Sequence, residues 1–320
     1  MKWEKKGCIF NIDTSKEWSV DCAQGPTVEI LNDKVWRIYY GSRDKNIRSS
    51  IGYFDVEAGK PENILYVYDK PVLERGDLGT FDELGVNPCC VLKDGDVKYM
   101  DYIGYNVTKT LPYHNGIGIA VWNEEKHCFE RVSQGPLFER TLQEPFYNGS
   151  SCILKDGDIW RLYYLSTTKW VMVEGSDRPE AFYHIKYAES ENAYDWKREQ
   201  HVAIDYKNEN EAGIARPCVL KIDGKYYMWY SYRNLIGYKT DKSASYRIGF
   251  AKSEDGKNWL RIDEKAGIDI SPEGWDSEML CYQYVIEWED KLYMFYNGNG
   301  FGRTGIGYAV CDKSALKELQ

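Results

Sequence analysis

Three observations predict an all-β chain folded as a five-bladed β-propeller of four-stranded antiparallel blades. A hairpin pattern recurs five times, aromatic residues are unusually abundant, and the outer-strand pattern missing from the last repeat reappears at the start of the chain. The repeat is an apolar run, a tight turn and an aromatic run. It first appears as Ile30-Leu31-Asn32-Asp33 into Trp36-Arg37-Ile38-Tyr39-Tyr40, and next as Val91-Leu92-Lys93-Asp94-Gly95 into Tyr99-Met100-Asp101-Tyr102. The third and fourth copies run from Ile153-Leu154-Lys155-Asp156-Gly157 to Trp160-Arg161-Leu162-Tyr163-Tyr164, and from Leu220-Lys221-Ile222-Asp223-Gly224 to Tyr226-Tyr227-Met228-Trp229-Tyr230. The fifth is Ile286-Glu287-Trp288-Glu289-Asp290 into Tyr293-Met294-Phe295-Tyr296. Asp-Gly-type turns between apolar and aromatic runs mark β-hairpins. The turn aspartates 33, 94, 156, 223 and 290 are spaced by 61, 62, 67 and 67 residues.

A third strand follows in each copy, at Ile51, Ile119, Ile185, Ile248 and Ile306, and a fourth is clearest at Trp196 and Trp259. The fifth copy ends instead in a helix-like tail, Lys313 to Gln320, while Lys2-Trp3-Glu4-Lys5 carries the fourth-strand pattern. The expectation is one domain, 1–320, whose ring the N-terminal strand closes. Residues 1–12 form the outer strand of the last blade, the blades occupy 23–75, 82–138, 144–205, 211–271 and 276–311, and 312–320 is the tail.

The 27 Tyr and 11 Trp among 320 residues suit strands. A net charge of −9 argues against a nucleic-acid partner. No apolar stretch has the length for membrane insertion, so a cytoplasmic location is expected. Nine cysteines, an odd number, read as thiols, with Cys89, Cys90, Cys152, Cys218 and Cys281 in apolar runs. The four histidines show no ligand spacing, so neither metal nor cofactor is expected.

The first two strands of a blade are antiparallel, so residues entering strand one and leaving strand two share one end. Asp82 and Glu211 each stand six residues before the proline that opens the inner strand, and Arg43 and Arg233 three residues after the last Tyr of strand two. Asp276 and Glu278 enter the fifth blade. Gln24, Asp44, Trp170, Arg216 and Asn299 complete a ring of polar and aromatic groups at the same end, and Glu144 is a weaker candidate. Acids for an anomeric centre, planar faces for sugar C–H groups and forked donors for hydroxyls or anions are what a sugar site needs. Asp82, Glu211, Asp276 and Glu278 are therefore the candidate catalytic acids, Glu211 as general acid and Asp82 as base or nucleophile. Arg43, Arg216 and Arg233 suggest an acidic or phosphorylated sugar, or a nucleotide sugar.

Ala23-Gln24-Gly25-Pro26, Gly79 to Val86, Ala215-Arg216-Pro217, Trp275 to Met279 and Tyr296 to Gly302 resemble the five-bladed propellers of glycoside hydrolase families 32, 43, 68 and 130. They are closest to stand-alone propellers linked to bacterial surface-polysaccharide synthesis. The resemblance implies an enzyme that cleaves or transfers glycosidic bonds, with a glycosyltransferase, a glycan phosphorylase or a non-catalytic glycan binder as alternatives. It also implies family 43 acids beside the opening proline of blade one, at the matching place in blade three and near the opening of blade four. Those places hold Gln24 and Gly25, Ser150 and Ser151, and Ala215 and Arg216, so the hydrolytic trio is not carried over.

Overall fold

The computed structural model describes residues 1–174 and 177–319, and its architecture is almost entirely β. After β1 (Glu4–Phe10), a first antiparallel array consists of β2 (Asp21–Ile30), β3 (Val35–Arg43), β4 (Ser49–Glu57) and β5 (Lys60–Val67), hydrogen-bonded in that order. The second is β6 (Gly85–Asp94), β7 (Val97–Asn106), β8 (His114–Asn123) and β9 (Cys128–Arg131). The third is β10 (Asn148–Asp156), β11 (Ile159–Met172), β12 (Pro179–Ser190) and β13 (Lys197–Ile204). The fourth is β14 (Glu211–Ile222), β15 (Lys225–Asn234), β16 (Arg247–Ser253) and β17 (Leu260–Arg261). The last has β18 (Cys281–Trp288), β19 (Lys291–Asn297) and β20 (Ile306–Asp312), and its fourth strand is β1, with Glu4 opposite Val310 and Phe10 opposite Ile306. Single parallel bridges, Ser49 to Gly85 and Tyr183 to Gly213, join the first array to the second and the third to the fourth. The tail forms a 3-10 helix, Lys313–Leu319; Gln320, expected to end it, lies outside the described residues.

The hairpin turns follow the sequence. Gly95, Gly157 and Gly224 take φ of 59°, 63° and 81°, left-handed values that tight hairpins require and glycine adopts without strain. The aromatic strands depart from simple alternation: Tyr226 to Tyr230 in β15 are all buried. The arrays stack face to face, so a second strand is covered on both sides. Ile117, Leu162 and Tyr164 pack the second array on the third, and Tyr163, Ile185, Met228 and Tyr230 the third on the fourth. Trp229, Phe250, Leu280 and Met294 fill the next gap, Phe10, Trp36, Phe54 and Phe295 pack the last array on the first, and Tyr39, Tyr53, Met100 and Phe129 the first on the second. Fully burying each such side chain contributes about 1.5–3 kcal/mol.

All nine cysteines are free thiols. Cys90 and Cys218 donate to the carbonyls of Ile153 and Val285, and Cys152 accepts from the amide of Val219, each across the gap to the next array. Among the described residues no helix is long and apolar enough to cross a membrane, and no His, Cys, Asp and Glu are grouped so as to hold a metal.

Candidate functional site

The strand register places the two ends anticipated from the offsets together. Asp21 lies opposite Arg43, Gly85 opposite Tyr105, Asn148 opposite Ser166, Gly213 opposite Arg233 and Cys281 opposite Asn297. Just inside this end every inner strand is bulged, between Gln24 and Thr27, Pro88 and Cys90, Gly149 and Ser151, Ala215 and Cys218, and Cys281 and Tyr284. Gly25, Ser150, Arg216 and Tyr282 take φ of 65°, 42°, 56° and 56° there. A bulge leaves a residue outside the ladder and re-aims it. Arg216, from the fourth array, donates to the carbonyls of Gly25 (3.1 Å) and Pro26 (3.0 Å) and to the Thr27 hydroxyl (2.7 Å) in the first array, and to the Pro88 carbonyl in the second. Arg216 thus joins the fourth array to the first and second at this end, and forms the floor of the candidate site. Asp101, fully buried, accepts from the Ser151 hydroxyl, and its Oδ1 has no hydrogen-bond partner among the described residues. Burial pushes its carboxyl up to about 7, against the opposing pull of that hydroxyl and of the Arg216 charge.

Above this floor lies an aromatic cluster. The hydroxyls of Tyr183 and Tyr246 are 2.7 Å apart, and the Arg233 guanidinium sits 3.9 Å from the centre of the Tyr238 ring. The Tyr246 ring lies 6.0 Å from Tyr282 and 6.0 Å from Phe301. Tyr113 packs between Tyr147 (5.4 Å) and Trp170 (5.2 Å). The long β11–β12 hairpin raises Trp170, with Ala181 opposite it, beside Glu180, which accepts from Tyr238 Oη (2.9 Å) and Lys239 Nζ (2.7 Å). Burial pushes the Tyr246 and Tyr282 phenols up, so both remain neutral donors. On the first-array side, Gln24 donates to the Phe301 carbonyl (3.1 Å), and Arg43 reaches towards Gln24 Oε1 (3.4 Å). Phe301 links the two flanks, since its ring meets that of Tyr246 and its carbonyl accepts from Gln24.

The structure brings Gln24, Arg43, Trp170, Arg216 and Arg233 to this mouth and its floor. Each candidate acid has polar partners of its own. Asp82 accepts from Arg131 Nε (2.7 Å), Tyr102 Oη (3.1 Å) and Thr80 Oγ1 (2.9 Å), and is fully buried. Glu211 is held by two nitrogens of Arg261, at 2.7 and 2.6 Å. Asp276 accepts from Lys5 Nζ (2.8 Å) and Tyr296 Oη (3.0 Å). Their cations come from β9, β17 and β1, so equal offsets put these carboxylates at the same end of three arrays, each bound to the fourth strand of its own array. Glu278 is exposed and is anchored through its backbone, the amide donating to Asn299 Oδ1 (2.8 Å) and the carbonyl accepting from Arg247 (3.4 Å). Asn299 also donates to the Gly274 carbonyl (3.0 Å), which makes it a loop brace. Asp44 accepts from the amides of Asn46 (2.8 Å) and Arg48 (3.0 Å) and braces the β3–β4 turn.

Tyr113, Tyr183, Tyr238, Tyr246, Tyr282, Phe301 and Glu180 were not singled out from the sequence. Most lie in the connections between second and third strands, whose lengths differ from repeat to repeat and so hide any common register. The one usable signal was a surplus of tyrosines outside the alternating strand patterns.

No family model matches the chain. Among solved structures, the fold is similar to that of a glycoside hydrolase at 17% identity, covering 96% of this chain and 90% of that one with a TM-score of 0.70. It is also similar to a thermostable family-43 glycoside hydrolase (18%, 91% and 89%, TM-score 0.61). A third neighbour, from the GH130 family of mannoside phosphorylases containing glycoside hydrolases that target β-1,2 mannosidic linkages in Candida mannan, covers 92% and 85% at 15% identity and TM-score 0.65. Uncharacterized protein MT1551 and Uncharacterized protein Rv1502 of Mycobacterium tuberculosis are each 35% identical over 312 residues, 98% of this chain and all of theirs. The chain therefore belongs to the family of these two mycobacterial proteins, and its fold is that of the propeller glycoside hydrolases of families 43 and 130.

Proposed function

We propose that residues 1–320 form one five-bladed propeller, its ring closed by β1, that takes a carbohydrate into the axial mouth as a glycoside hydrolase-like protein. The packing of the last array on the first supports the closed ring. The observation that carries the function is the mouth itself: the rings of Tyr113, Trp170, Tyr246, Tyr282 and Phe301 stand over a polar floor at the bulged ends of the inner strands. Aromatic faces pack on sugar C–H groups while hydroxyl, amide and guanidinium donors read the oxygens.

Binding without cleavage is the second reading, favoured by the ion pairs that occupy Asp82, Glu211 and Asp276. In the cleaving reading Glu211 is the acid and Asp82 the base or nucleophile. Glycan-array and calorimetric binding by wild type, Trp170→Ala and Tyr282→Ala tests the mouth: both variants should lose sugar binding while keeping the wild-type unfolding midpoint. Retained binding in both would remove the mouth as the site. Turnover of any glycan that binds, measured with Glu211→Gln and Asp82→Asn, separates the two readings.

A further inference from the structure

We propose that Arg43 is the anion-reading group of the mouth and that the ligand is a glycan bearing a carboxylate or a phosphate. The inference rests on the carbohydrate reading above and names its ligand class.

Three arginines stand near the axis, and two have their terminal nitrogens engaged, although the Arg216 Nε, like that of Arg43, is buried without a hydrogen-bond partner among the described residues. Arg216 bonds three carbonyls and a hydroxyl. Arg233 donates to Tyr183 Oη (3.3 Å) and to the carbonyls of Asn234 (2.9 Å) and Ala181 (3.3 Å). Arg43 is different. It lies 3.4 Å from Gln24 Oε1 and 3.8 Å from Asp21 Oδ2, both longer than the usual charge-assisted bond of about 2.7–2.9 Å. Its Nε is buried without a hydrogen-bond partner among the described residues, yet the side chain remains 26% exposed. The nearest carboxylate, Asp21, is taken by Arg303 through two bonds of 3.0 and 3.1 Å. The other groups acting on Arg43 are the Cys22 thiol and the phenols of Tyr105 and Tyr282, none of them a carboxylate.

A protein of net charge −9 thus holds at its mouth a guanidinium whose local carboxylate has been drawn away by a second arginine. A guanidinium fork matches carboxylate or phosphate through two parallel hydrogen bonds, and a neutral hydroxyl cannot replace that geometry. The adjacent Tyr282 ring would carry the sugar body while Arg43 takes its anionic substituent.

The experiment is calorimetry on the full chain with glucuronate, galacturonate, glucose 1-phosphate, inorganic phosphate, and the neutral glucose and galactose. Expected are preferential binding of a charged sugar over its neutral twin and loss of that preference in Arg43→Ala, by about ten- to a hundredfold. Arg43→Lys should be intermediate, because charge is kept and the fork is lost. Asp21→Asn should tighten binding by removing the competing carboxylate, a gain that a merely structural arginine would not produce. Uronates and glucose 1-phosphate distinguish the two sources of the anion. Equal binding of charged and neutral twins, or a preference that survives Arg43→Ala, overturns the inference and leaves the carbohydrate reading intact. Arg43-dependent binding of inorganic phosphate without any sugar binding supports the anion site and overturns the carbohydrate reading. Failure of every probe overturns both.

Discussion

Tyr296 donates its phenolic hydrogen to Asp276 at 3.0 Å, twenty residues earlier in the chain, and the same bond recurs at the same spacing from Tyr102 to Asp82 (3.1 Å) and from Tyr164 to Glu144 (2.8 Å). In each array the carboxylate also takes a cation from the outer strand: Lys5, Arg131 or Arg198. The fourth array divides the task, since Tyr230 donates to Asp263 and Arg261 holds both Asp263 and Glu211. The unit ties the second strand of an array to its fourth across the exposed end.

Asp82→Asn, Glu211→Gln and Asp276→Asn should therefore each lose about 3 kcal/mol of stability, because removing one partner leaves a cation without its counter-charge. The expected readout is a lower urea midpoint at unchanged slope. Wild-type midpoints in all three would contradict the structural role.

Removal of residues 1–12 should abolish cooperative unfolding. It strips β1 from β20 and extracts Trp3, whose indole donates to the Ala266 carbonyl at 2.9 Å and meets Trp229 edge-on at 6.3 Å. The bared strand would also be open to pairing with other chains. A truncated protein with the wild-type melting temperature would rule this out.

Asp101 should make stability fall as pH rises. Its folded carboxyl is held up to about 7 by burial, whereas an unfolded aspartate titrates near about 3.9, so the folded state binds more protons between the two values. The contribution is intact at the acid end of that window and is lost as pH climbs through it, at up to about 1.4 kcal/mol per unit. Urea unfolding at about pH 5 and about pH 8 should show the decline in wild type and a smaller one in Asp101→Asn. Identical slopes in the two proteins would exclude Asp101 as the source.

Arg216→Ala should be the most damaging single change at the axis. It strips the donors from three carbonyls and the Thr27 hydroxyl in two other arrays and opens a void among them, for which about 3–5 kcal/mol is the expected loss. Calorimetric melting reads it directly, and a shift of only a degree or two would show that the floor does not depend on this residue.

The hairpins and the destination of the first strand were legible because both rest on local pattern: Asp-Gly turns fix pairing, and the Trp3 motif repeats that of Trp196 and Trp259. The site was legible only in part. Offsets grouped one end of the arrays, and they named Arg43, Arg233 and Trp170 there. They could not give radius, so Asp82 and Glu211, equal in register, read as converging when each turns outward to an arginine of its own outer strand. Tyr183 and Tyr246 meet only because two unequal connections end at one place, and no period records that meeting.

The pairing of β1 with β20 also sets an order of events during synthesis. Glu4 to Phe10 leave the ribosome long before their partners, Ile306 to Val310. Until then the nascent chain carries an orphan strand and an unfilled slot for Trp3, both of which chaperones recognise by the same exposed apolar surface. β20 acts as a latch: the last array can be completed only once Ile306 to Val310 have been made, so a ribosome stalled anywhere upstream of them leaves β1 without its partner strand.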